Sequence, residues 1–426
     1  MKVWLISADM GYGHQRAAEP LKFLAEGKII SIGTDDVTSI RNRRKWARLQ
    51  NTYEFVSRNK KFSFFGKYLY KLMNSMQAIP SFYPKKDRSK INLAVKILDG
   101  YIKDGLYDNL IELVSQKKLP VLTTFYAPAI ALDYHGFDDI YCIVTDSDIN
   151  RVWAAKDSSK SRVKYFVPSE IALDRLKQYG IPTENIFLSG FPIDIDEIVS
   201  STGLSVEDRL AKRLKTLDTF GNFYKLHSGS VEKILGIDLK NITPNDKPVI
   251  SFAVGGAGAQ KELAKKIIAG LSDKLQDDKI KLNLIAGIKT EVKDYFRNLT
   301  EKSNAKNTEI IFADTKEEYF YKFNKAIGET DILWTKPSEL VFFASLGIPI
   351  ILAPPIGAQE SSNRQWLRDD IGAGIIQQKP KFCGEWIDDF MKSGKLAEAA
   401  WFGYLKVERN GVKNIVRKIE KWRQNE

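Results

Sequence analysis

Residues 249–271 read "VISFAVGGAGAQKELAKKIIAGL", and the order of residue types in them decides the fold class. An apolar run leads into a glycine-rich turn. A segment with apolar residues at helical spacing follows. Gly255, Gly256 and Gly258 let the backbone come close to a ligand, and the N–H groups that open a helix attract an anion. The same glycines also suit a tight strand-to-helix turn that binds nothing. A P-loop is excluded, because no Gly-Lys-Ser/Thr follows. The acidic ribose partner of a dinucleotide fold, about 20 residues on, is not evident.

Outward from this unit the rhythm repeats. Downstream lie "KLNLIAGI", "TEIIFAD", "TDILWTKPS" and "GIPIILAPP"; upstream lie "VWLISA", "LPVLTTF", "IYCIVTD", "VKYFVPS" and "NIFLSGFP". Strands that are apolar throughout are buried on both faces, as in parallel α/β sheets. The expected fold is α/β, with two doubly wound Rossmann-like domains facing each other across a cleft and ligands bound beyond the carboxyl ends of the strands. The expected boundaries are 1–193 for the first domain, 194–245 for a polar insertion and linker, 246–403 for the second domain and 404–426 for a closing helix. That helix carries Val412, Ile415, Ile419 and Trp422 at helical spacing.

A chain of 426 residues exceeds one ordinary core, which agrees with two domains. Hydrophobic residues make up 43% and charged residues 28%, the composition of a folded globular chain. No apolar run reaches about 18 residues, so no membrane-spanning helix is expected. Cys142 and Cys383 make neither a disulfide framework nor a metal site, and the N-terminus reads as a strand rather than a signal peptide. A cytoplasmic location is expected. The net charge is +12, and residues 41–90 hold all of it: 14 Lys/Arg against Glu54 and Asp87.

The residues suited to chemistry stand just after strands. "SADMGYGHQRAA" (7–18) places Gly11, Gly13 and His14 behind the first strand. A neutral histidine suits a general base, although a histidine satisfied in a turn fits as well. Asp146, after "IYCIVT", is a second candidate for base or for orienting His14, or else an ordinary strand-end cap. Residues 331–374 place Thr335, Lys336, Ser338 and Glu339 after one strand and Gln359, Glu360 and Asn363 after the next. Carboxylates accept from sugar hydroxyls and Lys336 can meet phosphate; helix caps with solvated charges are the plainer reading. His135 and His227 have no motif around them.

These pieces, in this order, resemble the glycosyltransferase family 28 group, which has the GT-B fold and includes transferases that act on lipid acceptors. "GYGHQRAA" resembles the family's glycine-rich opening loop and "IVTDSDINRVW" its TD…W segment. "YFVPSE…YGIPTENIFLSGFPI" resembles the end of the first domain, "VGGAG" the second-domain loop, and "TKPSELVFFASLGIPIILAPPIGAQESSNRQWL" the donor-binding region. The resemblance implies that the first domain takes an acceptor and the second a nucleotide-sugar, usually UDP-linked. It implies inversion at the anomeric carbon without a metal or other cofactor. On it, His14 and Asp146 are catalytic, or His14 contacts the diphosphate. Gly11, Gly13, Gly255, Gly256, Gly258, Lys336, Ser338, Glu339, Gln359, Glu360 and Asn363 hold the donor. The chain departs from the pattern where Phe342 stands for the usual ribose-binding Glu, with Glu339 one turn earlier. Asn150 stands where relatives often have His, and 194–240 has no counterpart.

The basic window 41–90 interleaves ten aromatic residues with its cations. Lys60, Lys61, Phe64, Phe65, Lys67, Tyr68 and Lys71 suit the interface of an anionic membrane. A solvated basic helical pair or, less well, a nucleic-acid surface has the same composition. The expectation is a peripheral, metal-independent glycosyltransferase on the inner face of the membrane, moving a sugar from a nucleotide-sugar to a lipid or other hydroxyl acceptor. A nucleotide-sugar 2-epimerase and an inactive sugar-nucleotide-binding protein are the alternatives.

Overall fold

The structure is a computed structural model that describes residues 1–9, 11–33, 79–255, 258–336 and 338–424. The chain divides into two compact units. The first comprises Met1–Ile193, Ile356–Asn363 and Glu408–Glu426; the second comprises Asp194–Pro355 and Arg364–Val407.

In the first unit, β1 (Trp4–Ala8), β2 (Ile30–Ile32), β3 (Val121–Thr123), β4 (Ile140–Ile143), β5 (Lys164–Val167) and β6 (Ile186–Leu188) form one sheet. The order is β2-β1-β3-β4-β5-β6 and every pairing is parallel. β3, β4 and β5 are buried at every residue, which is why they read as unbroken apolar runs. The order reverses between β1 and β3, so the chain leaves these two strand ends in opposite directions and opens a crevice there.

The second unit's strands are β7 (Val249–Ala253), β8 (Lys281–Gly287), β9 (Thr308–Phe312), β10 (Ile332–Thr335), β11 (Ile350–Leu352) and β12 (Gly374–Ile376). They run β12-β11-β10-β7-β8-β9, again all parallel. This is the Rossmann order, and its reversal lies between β7 and β10. Polar residues inside the sheet are satisfied across strands: Asn283 donates to Ser251 Oγ at 3.3 Å, and Ser251 shares a 2.6 Å hydrogen bond with Thr330.

Residues 194–245 are no linker. They form helices Ile195–Thr202, Val206–Thr216 and Asn222–Leu235 and belong to the second unit. Leu210, Leu214 and Leu217 are fully buried, and Arg213 donates to the carbonyls of Thr330, Leu346 and Gly347 at 2.8–3.0 Å. The apolar face is narrow and set among charges, so the stretch looks polar in sequence. The C-terminal boundary also differs from expectation. Helix Lys395–Lys406 stays with the second unit, and helix Gly411–Gln424 packs on the first. Ile415 and Ile419 join a core with Val3, Leu5, Tyr141 and Phe166, and Trp422 stacks on Tyr141 at 5.9 Å. Gly411 permits this, since a Cβ there would collide with the Phe191 carbonyl.

Candidate functional site

At the first unit's strand reversal, Gly11 (φ 95°) turns the chain out of β1 and caps helix Tyr12–Ala18, whose first turn holds Gly13 and His14. His14 is half-buried, and its Nδ1 lies 2.6 Å from the carbonyl oxygen of Thr124, just beyond β3. A carbonyl only accepts, so Nδ1 carries the proton and Nε2 the lone pair. Thr145 Oγ1 lies 3.4 Å from the same nitrogen. Phe125 meets the imidazole edge-on at 5.1 Å, with Trp153 tilted at 6.5 Å. Burial drags the His14 pKa from an ordinary 6.5 down to about 4, against the opposing pull of the Thr124 hydrogen bond. The ring is therefore neutral near pH 7.

Between about pH 4 and pH 6.5 the unfolded state binds the proton that folded His14 refuses. Stability is then complete above the unfolded value and falls as pH drops through this window. Melting temperature against pH should show a shallower acid slope in His14→Phe than in the wild type.

Asp146 follows β4 on a loop pinned from several sides. Asn363 donates to Asp146 Oδ1 at 3.3 Å and accepts from Ser147 Oγ at 2.6 Å. Gln359 donates to the Asp148 carbonyl, and Arg175 holds the Asp148 carboxylate through two hydrogen bonds of 2.9 and 2.8 Å. The residues 356–363, expected to reach a donor, therefore spend the polar ends of Gln359 and Asn363 on the Asp146 loop. Glu360 accepts from the Ile356 N–H at 2.7 Å and so caps its own segment. Asn150 also caps, accepting from the Val152 N–H at 3.2 Å.

At the second unit's reversal, Lys336 leaves β10 and lies over Gly255, which leaves β7. A Cβ on Gly255 would sit 3.1 Å from Lys336 Nζ, with the lysine stem closer still. Thr335 donates to the Ala253 carbonyl at 3.1 Å and locks the two strand ends together. Gly258 (φ 70°) closes the turn, donating to the Gly255 carbonyl at 2.7 Å. The helix does not open directly behind the glycines as expected. A turn at 259–262 intervenes, Glu262 is the cap and the helix runs Leu263–Gln276. Lys336, beside Gly255, is thus the cation that this turn offers to an anion. Gly256 lies outside the described residues, as do Lys60, Lys61, Phe64, Phe65, Lys67, Tyr68 and Lys71. Among the described residues, no group of three or more His, Cys, Asp or Glu is placed to hold a metal ion, and no helix is long and apolar enough to cross a membrane.

No protein-family model matches the chain. It is 21% identical over 381 residues to the processive diacylglycerol beta-glucosyltransferase of Bacillus subtilis strain 168, covering 88% of this chain and 83% of that one. The enzyme of the same name from Staphylococcus saprophyticus is 23% identical over 274 residues, 63% of this chain and 58% of its own length. Among solved structures, the UDP-GlcNAc 2-epimerase of Neisseria meningitidis, bound to UDP-GlcNAc, superposes with a TM-score of 0.50 at 13% identity, covering 99% of this chain and 100% of that one. That likeness speaks for the fold. The chain has the GT-B fold.

In this GT-B protein Ser338 and Glu339 follow Lys336 and open the helix Leu340–Ser345. Phe342, in the place of the family's usual Glu, is 2% exposed and packs on Phe323 and Phe343. It is core. Glu339 instead takes a left-handed backbone (φ 54°), where a residue with a Cβ costs about 1–2 kcal/mol. The strain lies in the backbone, three residues after Lys336. Glu339→Gly should raise the melting temperature, because glycine adopts this backbone without strain; thermal unfolding reads the shift. The first unit's ring cage of Thr124, Phe125 and Trp153 was not singled out from sequence. Its signal was the polar pair Thr123–Thr124 within "LPVLTTF", which matters only once β3 is known to lie beside β1.

Proposed function

We propose that the chain is a glycosyltransferase that moves a sugar from a UDP-linked donor to the hydroxyl of a lipid acceptor of the diacylglycerol class. The observation that carries the reading is the cation-and-glycine arrangement at the β7/β10 reversal, Lys336 over Gly255. It suits a diphosphate, because backbone N–H groups and an ammonium both favour concentrated negative charge. The similarity to diacylglycerol glucosyltransferases over most of the chain supports the reaction class and the acceptor.

In this mechanism the acceptor oxygen attacks the anomeric carbon as the bond from that carbon to the diphosphate breaks, with inversion. His14 Nε2 takes the acceptor proton, while the Thr124 carbonyl keeps Nδ1 protonated and the ring oriented. Lys336 and the 255–258 turn receive the charge on the departing diphosphate, with no metal required. The bilayer supplies the acceptor, so the protein works at a membrane surface. Thermal unfolding with UDP, UDP-glucose and UDP-GlcNAc tests the donor half. Stabilisation by UDP and by one sugar-nucleotide is expected; no shift with any of them at millimolar concentration would contradict the reading.

A further inference from the structure

The described residues leave one strongly basic stretch that the site does not use. Tyr83, Ile91, Leu93 and Ile97 are 72%, 36%, 54% and 37% exposed. Between and beside them stand Lys85, Lys86, Arg88, Lys90 and Lys96 against the single acid Asp87. Scattered exposed apolar residues need no explanation. Here four of them share one short stretch with five cations and one acid. Leu93 and Ile97 stand one turn apart at the start of helix Leu93–Lys103, while Ala94, Val95 and Ile102 of the same helix are buried.

The stretch is tied to the candidate acceptor residues. Arg151, five positions after Asp146, donates to the Ser89 carbonyl through Nε at 3.0 Å and Nη2 at 2.9 Å. Its Nη1 reaches the carbonyls of Ala154 and Ala155 at 2.7 and 3.0 Å. Arg175, which grips Asp148, also lies over the Phe82 ring at 5.2 Å. The Arg88 N–H donates to the Gln178 carbonyl at 2.7 Å, and Lys85 pairs with Asp174 at 2.7 Å.

We infer that residues 83–97 form the face by which the first unit lies on an anionic bilayer, and that Arg151 and Arg175 couple this face to the Asp146 loop. The inference rests on the lipid-acceptor reading and gives it a location. Charge complementarity selects the occupant: cations suit anionic headgroups, and the exposed Ile, Leu and Tyr tips suit the headgroup–acyl boundary. A nucleic acid would use the cations and leave Leu93 and Ile97 idle.

The test is co-sedimentation of the full chain with phosphatidylcholine vesicles, with and without phosphatidylglycerol. It compares the wild type with Lys86→Glu/Lys90→Glu/Lys96→Glu and with Leu93→Ser/Ile97→Ser. All five side chains are exposed, so both variants should melt as the wild type does. The wild type should bind the phosphatidylglycerol vesicles, and each variant should lose about tenfold or more in affinity, with UDP stabilisation unchanged. Three results overturn the inference: binding that survives in both variants, loss in the charge variant alone, which points to a polyanion, or a wild type that ignores the vesicles. Vesicle binding with the expected losses, but no stabilisation by any nucleotide, would leave this face standing and remove the donor reading.

Discussion

Replacing His14 by Ala is expected to slow sugar transfer by about 10²–10⁴-fold and to leave stabilisation by UDP close to that of the wild type. The split follows from where the residue sits. His14 belongs to the first unit, and the residues assigned to the diphosphate belong to the second. Its tautomer is fixed by a backbone carbonyl, which side-chain variants nearby cannot remove. The low pKa makes the ring a weak base in the empty site, so its work depends on a reacting hydroxyl that becomes acidic as its bond to carbon forms. His14→Gln separates positioning from proton transfer, since it can accept a hydrogen bond without taking the proton. Rates in His14→Ala within threefold of wild type would remove His14 from the mechanism, and a lost UDP shift would place it on the donor.

Lys336→Ala is the second large effect, a loss of donor affinity of about tenfold or more, as expected for one charge-assisted hydrogen bond of about 1.5–3 kcal/mol. The lysine stem occupies the space in front of Gly255, so Gly255→Val should act through the same contact by pushing the ammonium away. The two substitutions should therefore be far from additive in a double-mutant cycle. Titration of UDP by calorimetry reads both. Additive losses would mean that Lys336 and the glycine turn act on different ligands or on none.

The strands legible in sequence were those buried on both faces, such as "IYCIVTD" and "TDILWTKPS". β2 (Ile30–Ile32) and β12 (Gly374–Ile376) escaped notice because Ser31 interrupts the one apolar run and Gly374 opens the other. The helices of 195–235 were missed because Leu210 and Leu214 lie among lysines, arginines and acids, and only the second unit's core shows what they face. That the candidate site residues stand directly behind strands was legible, because parallel sheets place their loops there. Their partners were not, because strand order decides them: Thr124 meets His14 from 110 residues away. The polarity of Gln359 and Asn363 was visible, but not the direction in which they turn, which is toward the Asp146 loop.

The most direct measurement is transfer itself: purified protein, vesicles containing diacylglycerol, and UDP-glucose, with glycolipid and released UDP quantified together. The account predicts glycolipid and UDP in equal amounts, formed about 10²–10⁴-fold more slowly by His14→Ala and with weaker donor affinity by Lys336→Ala. UDP released without glycolipid, or the sugar-nucleotide converted to an epimer in the absence of any acceptor, would contradict it.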